Sequence, residues 1–262
     1  MSANIEKKIN RLLETTPKNV VLLSSWLVKQ GYSRELLKRY QKSQWLRSVG
    51  YGAWTFSGGA PDYLGAVYAL QTQLGLSIHP AAQTALQLQG KAHYLALSAK
   101  RAVLMGSQKE ALPSWFKKGQ WGIKVSYKRT SFLPPELGMQ DFSSPDFRIQ
   151  ISTPTRAILE CLYLANTEAD IVAAHELLEG LNTLRPDQLQ KLLECCTSIK
   201  VKRLFFYLAE HIGHEWFNYL VIEKIDLGKG KRSLVHDGVY DTKYQITVPR
   251  SLADRRDSQR EG

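Results

Sequence analysis

Between Ser24 and Phe56 the sequence changes its apolar period twice in quick succession, and few folds accommodate that order. A short helix is expected from Ser24 or Ser25 to Gln30. A serine at its start serves as the N-cap, Trp26 and Leu27 give the apolar contact, and Gly31 takes the left-handed C-terminal position. Three residues of turn lead into a second helix, capped by Ser33 and reaching about Lys42. Leu36, Leu37 and Tyr40 share one side of its wheel; Arg34, Lys38 and Lys42 share the other, with Glu35, Arg39 and Gln41 flanking. Trp45, Leu46, Val49, Trp54 and Phe56 then bracket Gly50-Tyr51-Gly52, which predicts a hairpin with Arg47 and Tyr51 at or near its tip. Upstream, Ile5, Ile9, Leu12 and Leu13 form the stripe of a first helix that stops before Pro17. Two short helices around a glycine turn, the second basic on its outer face and followed by a hairpin, make the pattern of a winged helix-turn-helix. That motif lays its second helix in the major groove of DNA.

The charge distribution bears on the same point. The 262 residues include 35 Lys+Arg and 24 Asp+Glu, a formal charge of +11, within an ordinary globular composition of 44% apolar and 23% charged residues. A mainly disordered, collagenous or disulfide-scaffold chain is excluded by those figures. Residues 1–56 hold ten basic and three acidic side chains, and residues 91–129 hold nine basic against Glu110 alone. Residues 130–199 hold four against ten, and residues 200–262 twelve against nine. A basic run can be a solvated face that aids solubility, or it can attract phosphate. In residues 1–56 the cations fall on an element shaped for a groove, and a small helical domain packed on the rest would not explain the imbalance. Arg34 and Lys38 are the candidates for base edges; Lys42, Arg39, Arg47 and Tyr51 are candidates for phosphate, and Ser33 completes the set. A second basic patch is expected from Lys117 and Lys118, together with Lys200, Lys202 and Arg203. The last three crowd the first turn of a helix, where cations oppose the helix dipole.

The polar N-terminus lacks the features of a secretory signal, no apolar run approaches the ~18–20 residues of a membrane span, and the three cysteines have no framework spacing. A cytoplasmic protein with no membrane partner is the expectation.

The string Leu22-Leu23-Ser24-Ser25-Trp26-Leu27-Val28-Lys29-Gln30-Gly31-Tyr32-Ser33, with Leu36 to Ser43 and Trp45 to Gly52, resembles the N-terminal winged helix of AbiEi-type antitoxins. These are the transcription-factor halves of type IV toxin–antitoxin operons. The likeness continues through Ala82 to Gly90, Pro154 to Glu160, Lys200 to Leu204, Asp226 to Arg232 and Tyr244 to Pro249, so that it spans nearly the whole chain in order. It implies autorepression through double-stranded inverted repeats upstream of the operon. It also implies a neighbouring nucleotidyltransferase-like toxin, countered by the C-terminal domain without a stable complex.

The expected fold class is α+β: a winged helix-turn-helix over residues 1–57, a hinge at Gly58-Gly59, and a larger mixed domain over 60–250. Residues 60–152 read as a sheet with helices. Asp62 caps one helix, Thr84 to Leu88 continue another, and strands are expected at Tyr94–Leu97, Val103–Met105, Ile123–Tyr127 and Phe147–Ile151. Residues 153–249 read as mainly helical with terminal strands, and residues 251–262 as a disordered tail.

Chemical motifs do not emerge. Gly228-Lys229-Gly230-Lys231 lacks the spacing of a phosphate loop, and His211-x-x-His214-Glu215 has the wrong order for a zinc protease helix. The acidic residues of 130–199 are scattered over helix surfaces, so no catalytic residue, metal or cofactor is expected. A nucleic-acid-modifying enzyme, such as a nuclease targeted by the winged helix, is the alternative, and a protein-interaction scaffold is a further one.

Overall fold

The structure, a computed structural model, describes residues 2–91, 101–235 and 237–253, with side chains from Lys7 onward. The expected strand at Tyr94–Leu97 lies outside the described residues. The chain divides into two compact units. One comprises Met1–Pro80, Lys100–Arg129 and Asp141–Ile151; the other comprises Ala81–Ala99, Thr130–Gln140 and Ser152–Gly262.

The first unit opens with α1 (Ser2–Thr15), β1 (Leu22–Leu23), α2 (Ser24–Lys29), α3 (Arg34–Lys42), β2 (Leu46–Gly50) and β3 (Ala53–Phe56). The three strands form one antiparallel sheet in the order β1-β3-β2. This is a winged helix, and its third strand, β1, is too short to show a period in the sequence. The start of α2 also differs from expectation. Its N-cap is Leu23, without a side-chain bond. Ser24 Oγ instead accepts from Trp54 Nε1 at 2.7 Å, and Ser24 N donates to the Gly52 carbonyl, so the serine fastens α2 to the wing.

Next comes α4 (Tyr63–Thr72), whose cap Asp62 accepts from the Leu64 and Gly65 amides. Two glutamines at its C-terminal end hold it in place. Gln73 pairs with the outer edge of β1, accepting from Leu23 N at 2.8 Å and donating to the Val21 carbonyl at 2.7 Å. Gln71 donates to the carbonyls of Ile78 and Gln150 and accepts from Gln150 N. These bonds satisfy backbone groups that would otherwise end a sheet unpaired. At the expected hinge Gly59 is packed, since a Cβ there would lie 2.5 Å from the Lys18 carbonyl oxygen, whereas Gly58 is exposed with open space around it.

The chain continues as β4 (His79–Pro80), passes through α5 (Ala82–Leu88) of the second unit, and returns as β5 (Arg101–Ser107), α6 (Ser114–Lys118) and β6 (Lys124–Thr130). The sheet order is β4-β5-β6. Glu110, the one acid of residues 91–129, is consumed here: it accepts from Ser77 N and Oγ at 2.8 Å and from Ser107 N at 3.2 Å. The paired strands β7 (Met139–Ser143) and β8 (Arg148–Ser152) follow.

In the second unit α7 (Pro154–Leu164) is the hub, packing on α5, α8 (Glu168–Glu179), α9 (Pro186–Cys195) and α10 (Ile199–Ile212). Thr153 caps α7, with Pro154 at its first position. The expected stripes are buried, among them Ile158, Leu159, Leu162, Leu178, Leu192, Leu193, Leu204 and Phe205. α7 carries a buried ion pair between successive turns: Arg156 Nε meets Glu160 Oε1 at 2.7 Å, while Glu160 Oε2 accepts from Ser152 Oγ and Ala82 N. A small sheet, β10 (Val239–Asp241), β11 (Ile246–Val248) and β9 (Arg232–Ser233) in that spatial order, closes the unit. Ser251–Ala253, expected to be disordered, complete a helical turn after Pro249, and the buried side chain of Leu252 explains why the turn is held.

Candidate nucleic-acid interface

The second helix of the motif, α3, is positioned by its inner face. Leu37 and Tyr40 are buried, and Ser33 Oγ accepts from Leu36 N at 3.2 Å to cap the helix. The turn before it is fixed by Gly31 at φ 87° and by Lys8, whose ammonium donates to the Gly31 carbonyl at 2.9 Å. Packing on one face leaves the other in solvent: Ser33, Arg34, Lys38, Arg39 and Lys42 are all exposed. Glu35, the single acid of α3, has its carboxyl held below the usual range. Hydrogen bonds from its own backbone amide and from Ser33 are the main causes, against a small opposing effect of burial.

Beside α3 stands the wing. Tyr51 at its tip is 95% exposed, and Gly52 beside it takes φ 68°, which the tight turn requires. Arg47 is exposed but not free to swing, since its Nη2 donates to the Gly59 carbonyl at 3.0 Å.

The structure adds α6 to this face. Its aromatic side, Trp115 and Phe116, is buried, and Trp115 packs so closely on the wing that a Cβ on Gly50 would lie 2.9 Å from the Trp115 Cβ. Its other side exposes Lys117 and Lys118. Between α6 and β2 runs a polar cleft of about 360 Å³, lined by Arg47, Ser48, Lys118 and Gln120 among others. The second basic segment thus lies against the wing, a contact between residues some seventy positions apart in sequence that no local pattern reveals.

Models of two families cover nearly the whole sequence. Residues 5–97 match the N-terminal domain, and residues 99–249 the remainder, of a transcriptional regulator described as the AbiEi antitoxin of a type IV toxin–antitoxin system. The chain belongs to the AbiEi antitoxin family of transcriptional regulators. No curated protein matches the sequence significantly. Among solved structures, the RV2827C protein from Mycobacterium tuberculosis is similar in fold, with a TM-score of 0.54 at 13% identity over 98% of this chain and 94% of that one.

In this AbiEi-family chain the basic residues of the second unit have a different fate from that expected. Lys202 and Arg203 are buried and Lys200 is half-buried, so the three do not form a surface patch with Lys117 and Lys118. Arg203 donates to the carbonyls of Leu227, Gly228, Gly230 and Gln245, pinning the loop ahead of β9. Lys200 donates to the carbonyls of Tyr163 and Ala165, and burial lowers its pKa against the pull of Asp170. His211 and His214 are held by backbone carbonyls, His214 Nε2 meeting that of Leu178 and His211 Nδ1 that of Tyr207. Among the described residues no three His, Cys, Asp or Glu side chains gather where they could hold a metal ion, and no helix is long and apolar enough to cross a membrane.

Proposed function

We propose that the chain is a DNA-binding autorepressor and the antitoxin of a type IV operon, with α3 as its major-groove helix. The observation that carries this reading is the division of charge. Counted from the sequence, the first unit holds 19 basic and 7 acidic residues, net +12, and the second 16 and 17, net −1. The positive charge therefore gathers on the unit that also presents an exposed, basic recognition helix and a wing. In such an arrangement Arg34 and Lys38 face base edges, while Lys42, Arg39, Arg47 and Tyr51 meet the sugar–phosphate strands. Lys117 and Lys118 extend the same phosphate track. Wings and helices of this type act in pairs on inverted repeats, which fits repression of the chain's own operon.

Binding to a labelled fragment from upstream of the gene, against scrambled DNA at several salt concentrations, tests the reading. Tighter binding to the upstream fragment is expected; equal affinities would sink the claim of a specific repressor. Resemblance to the family supports the second half, in which the second unit counters a nucleotidyltransferase-like toxin without a stable complex. Co-expression with the adjacent open reading frame is expected to relieve growth arrest without co-purification, and a neighbour lacking that toxin fold removes the antitoxin claim.

A further inference from the structure

Where α1 meets the C-terminal end of α3 the first unit has a second cleft, about 570 Å³ in volume, floored by Ile9 and Tyr40 and opening past Arg39, Lys42 and Trp45. Ile9 and Tyr40 are buried, whereas Trp45 is 45% exposed. Its backbone is nonetheless fixed on both sides. Trp45 N donates to the Tyr40 carbonyl at 2.9 Å, and its own carbonyl accepts from Ser57 N at 3.0 Å. Gln44 before it takes φ 59°, a left-handed conformation that residues with side chains disfavour and that persists only where the surroundings impose it. A strained turn thus holds a large apolar ring in solvent, beside two cations, in a cleft that no acidic side chain lines among the described residues.

That combination suits a polyanion with apolar edges, which is what the backbone of duplex DNA offers: phosphates separated by deoxyriboses. The nine residues of α3 span about 13 Å at ~1.5 Å per residue, close to the ~12 Å width of the major groove. With Arg34 and Lys38 at base edges, the C-terminal end of α3 emerges over the strand that borders the groove. We infer that Trp45 packs against a deoxyribose of that strand while Arg39 and Lys42 meet the flanking phosphates. The inference rests on the DNA-binding reading above and adds a contact residue to it.

The test uses the full chain with Trp45→Ala and Trp45→Phe, the upstream fragment and scrambled DNA, and a series of salt concentrations. Trp45→Ala should weaken binding to both DNAs by about fivefold, leaving their ratio and the salt slope unchanged because no charge is lost. Trp45→Phe should keep most of the affinity, whereas Lys42→Gln should lower the salt slope by about one. Thermal melting reports whether Trp45→Ala folds. Should it not, the DNA-induced change in tryptophan emission decides: it should shrink in Trp45→Phe, and an unchanged signal overturns the inference. Wild-type affinity in Trp45→Ala, with Arg34→Ala still losing its preference for the upstream fragment, overturns the Trp45 contact and leaves the regulator reading standing. Absence of salt-sensitive binding by the wild-type chain removes both.

Discussion

Arg34 and Arg203 carry the same guanidinium group to opposite ends. Arg34 sits in the first turn of α3, capped by Ser33, and is exposed to solvent. Arg203 is 2% exposed and has spent its donors on carbonyls of a glycine-rich loop. The sequence expectation for Arg203 rested on cations at a helix N-terminus, which are unfavourable in water unless an anion answers them. The fold answers with carbonyl dipoles from residues more than twenty positions downstream, and no local signal announces it. Two predictions follow from the contrast. Arg34→Ala should leave thermal stability unchanged but relax base preference, with roughly 1–3 kcal/mol of discrimination lost in competition assays. Arg203→Met should leave several loop carbonyls without a donor and cost roughly 2–4 kcal/mol, read as an earlier denaturant midpoint. Glu160→Gln removes the charge opposite buried Arg156, and the expected loss is about 3–5 kcal/mol.

At the scale of elements, the wing is the instructive piece. Its strands were legible because Leu46, Val49, Trp54 and Phe56 flank a glycine turn, and α3 was legible because it has a Ser cap and an apolar stripe. What supports the wing was not. β1 has only two residues, and Gln73 reads as an ordinary polar residue at a helix end until its amide is seen pairing with the backbone of Val21 and Leu23. The α6 lysines were visible as charge, but their place beside the wing was not; the close seat of Trp115 on Gly50 sets it. Gly50→Ala should push α6 from the wing, costing roughly 1–3 kcal/mol and weakening DNA binding more than the melting temperature shift accounts for. A variant that binds DNA as the wild type does would show the wing to act alone.

For the whole molecule, the division of charge carries the argument. A net +12 on one unit and −1 on the other is more uneven than any division at Gly58-Gly59 suggested. The sequence expectation of two basic segments becomes one basic unit, because residues 100–129 fold back into the unit that residues 1–80 begin. Reversing Lys117 and Lys118 to glutamate should weaken binding to all DNA sequences and flatten the salt dependence by about two; no change in either would leave those lysines to solubility alone. The amino-acid sequence by itself determined the winged helix and its exposed cations, since capping, apolar period and turn residues act over a few positions. Only the tertiary structure decided which of the other cations face solvent, which are locked on carbonyls, and which stand beside the wing. Those outcomes depend on contacts between residues tens of positions apart, where burial and unsatisfied backbone groups, rather than local propensity, set the energy.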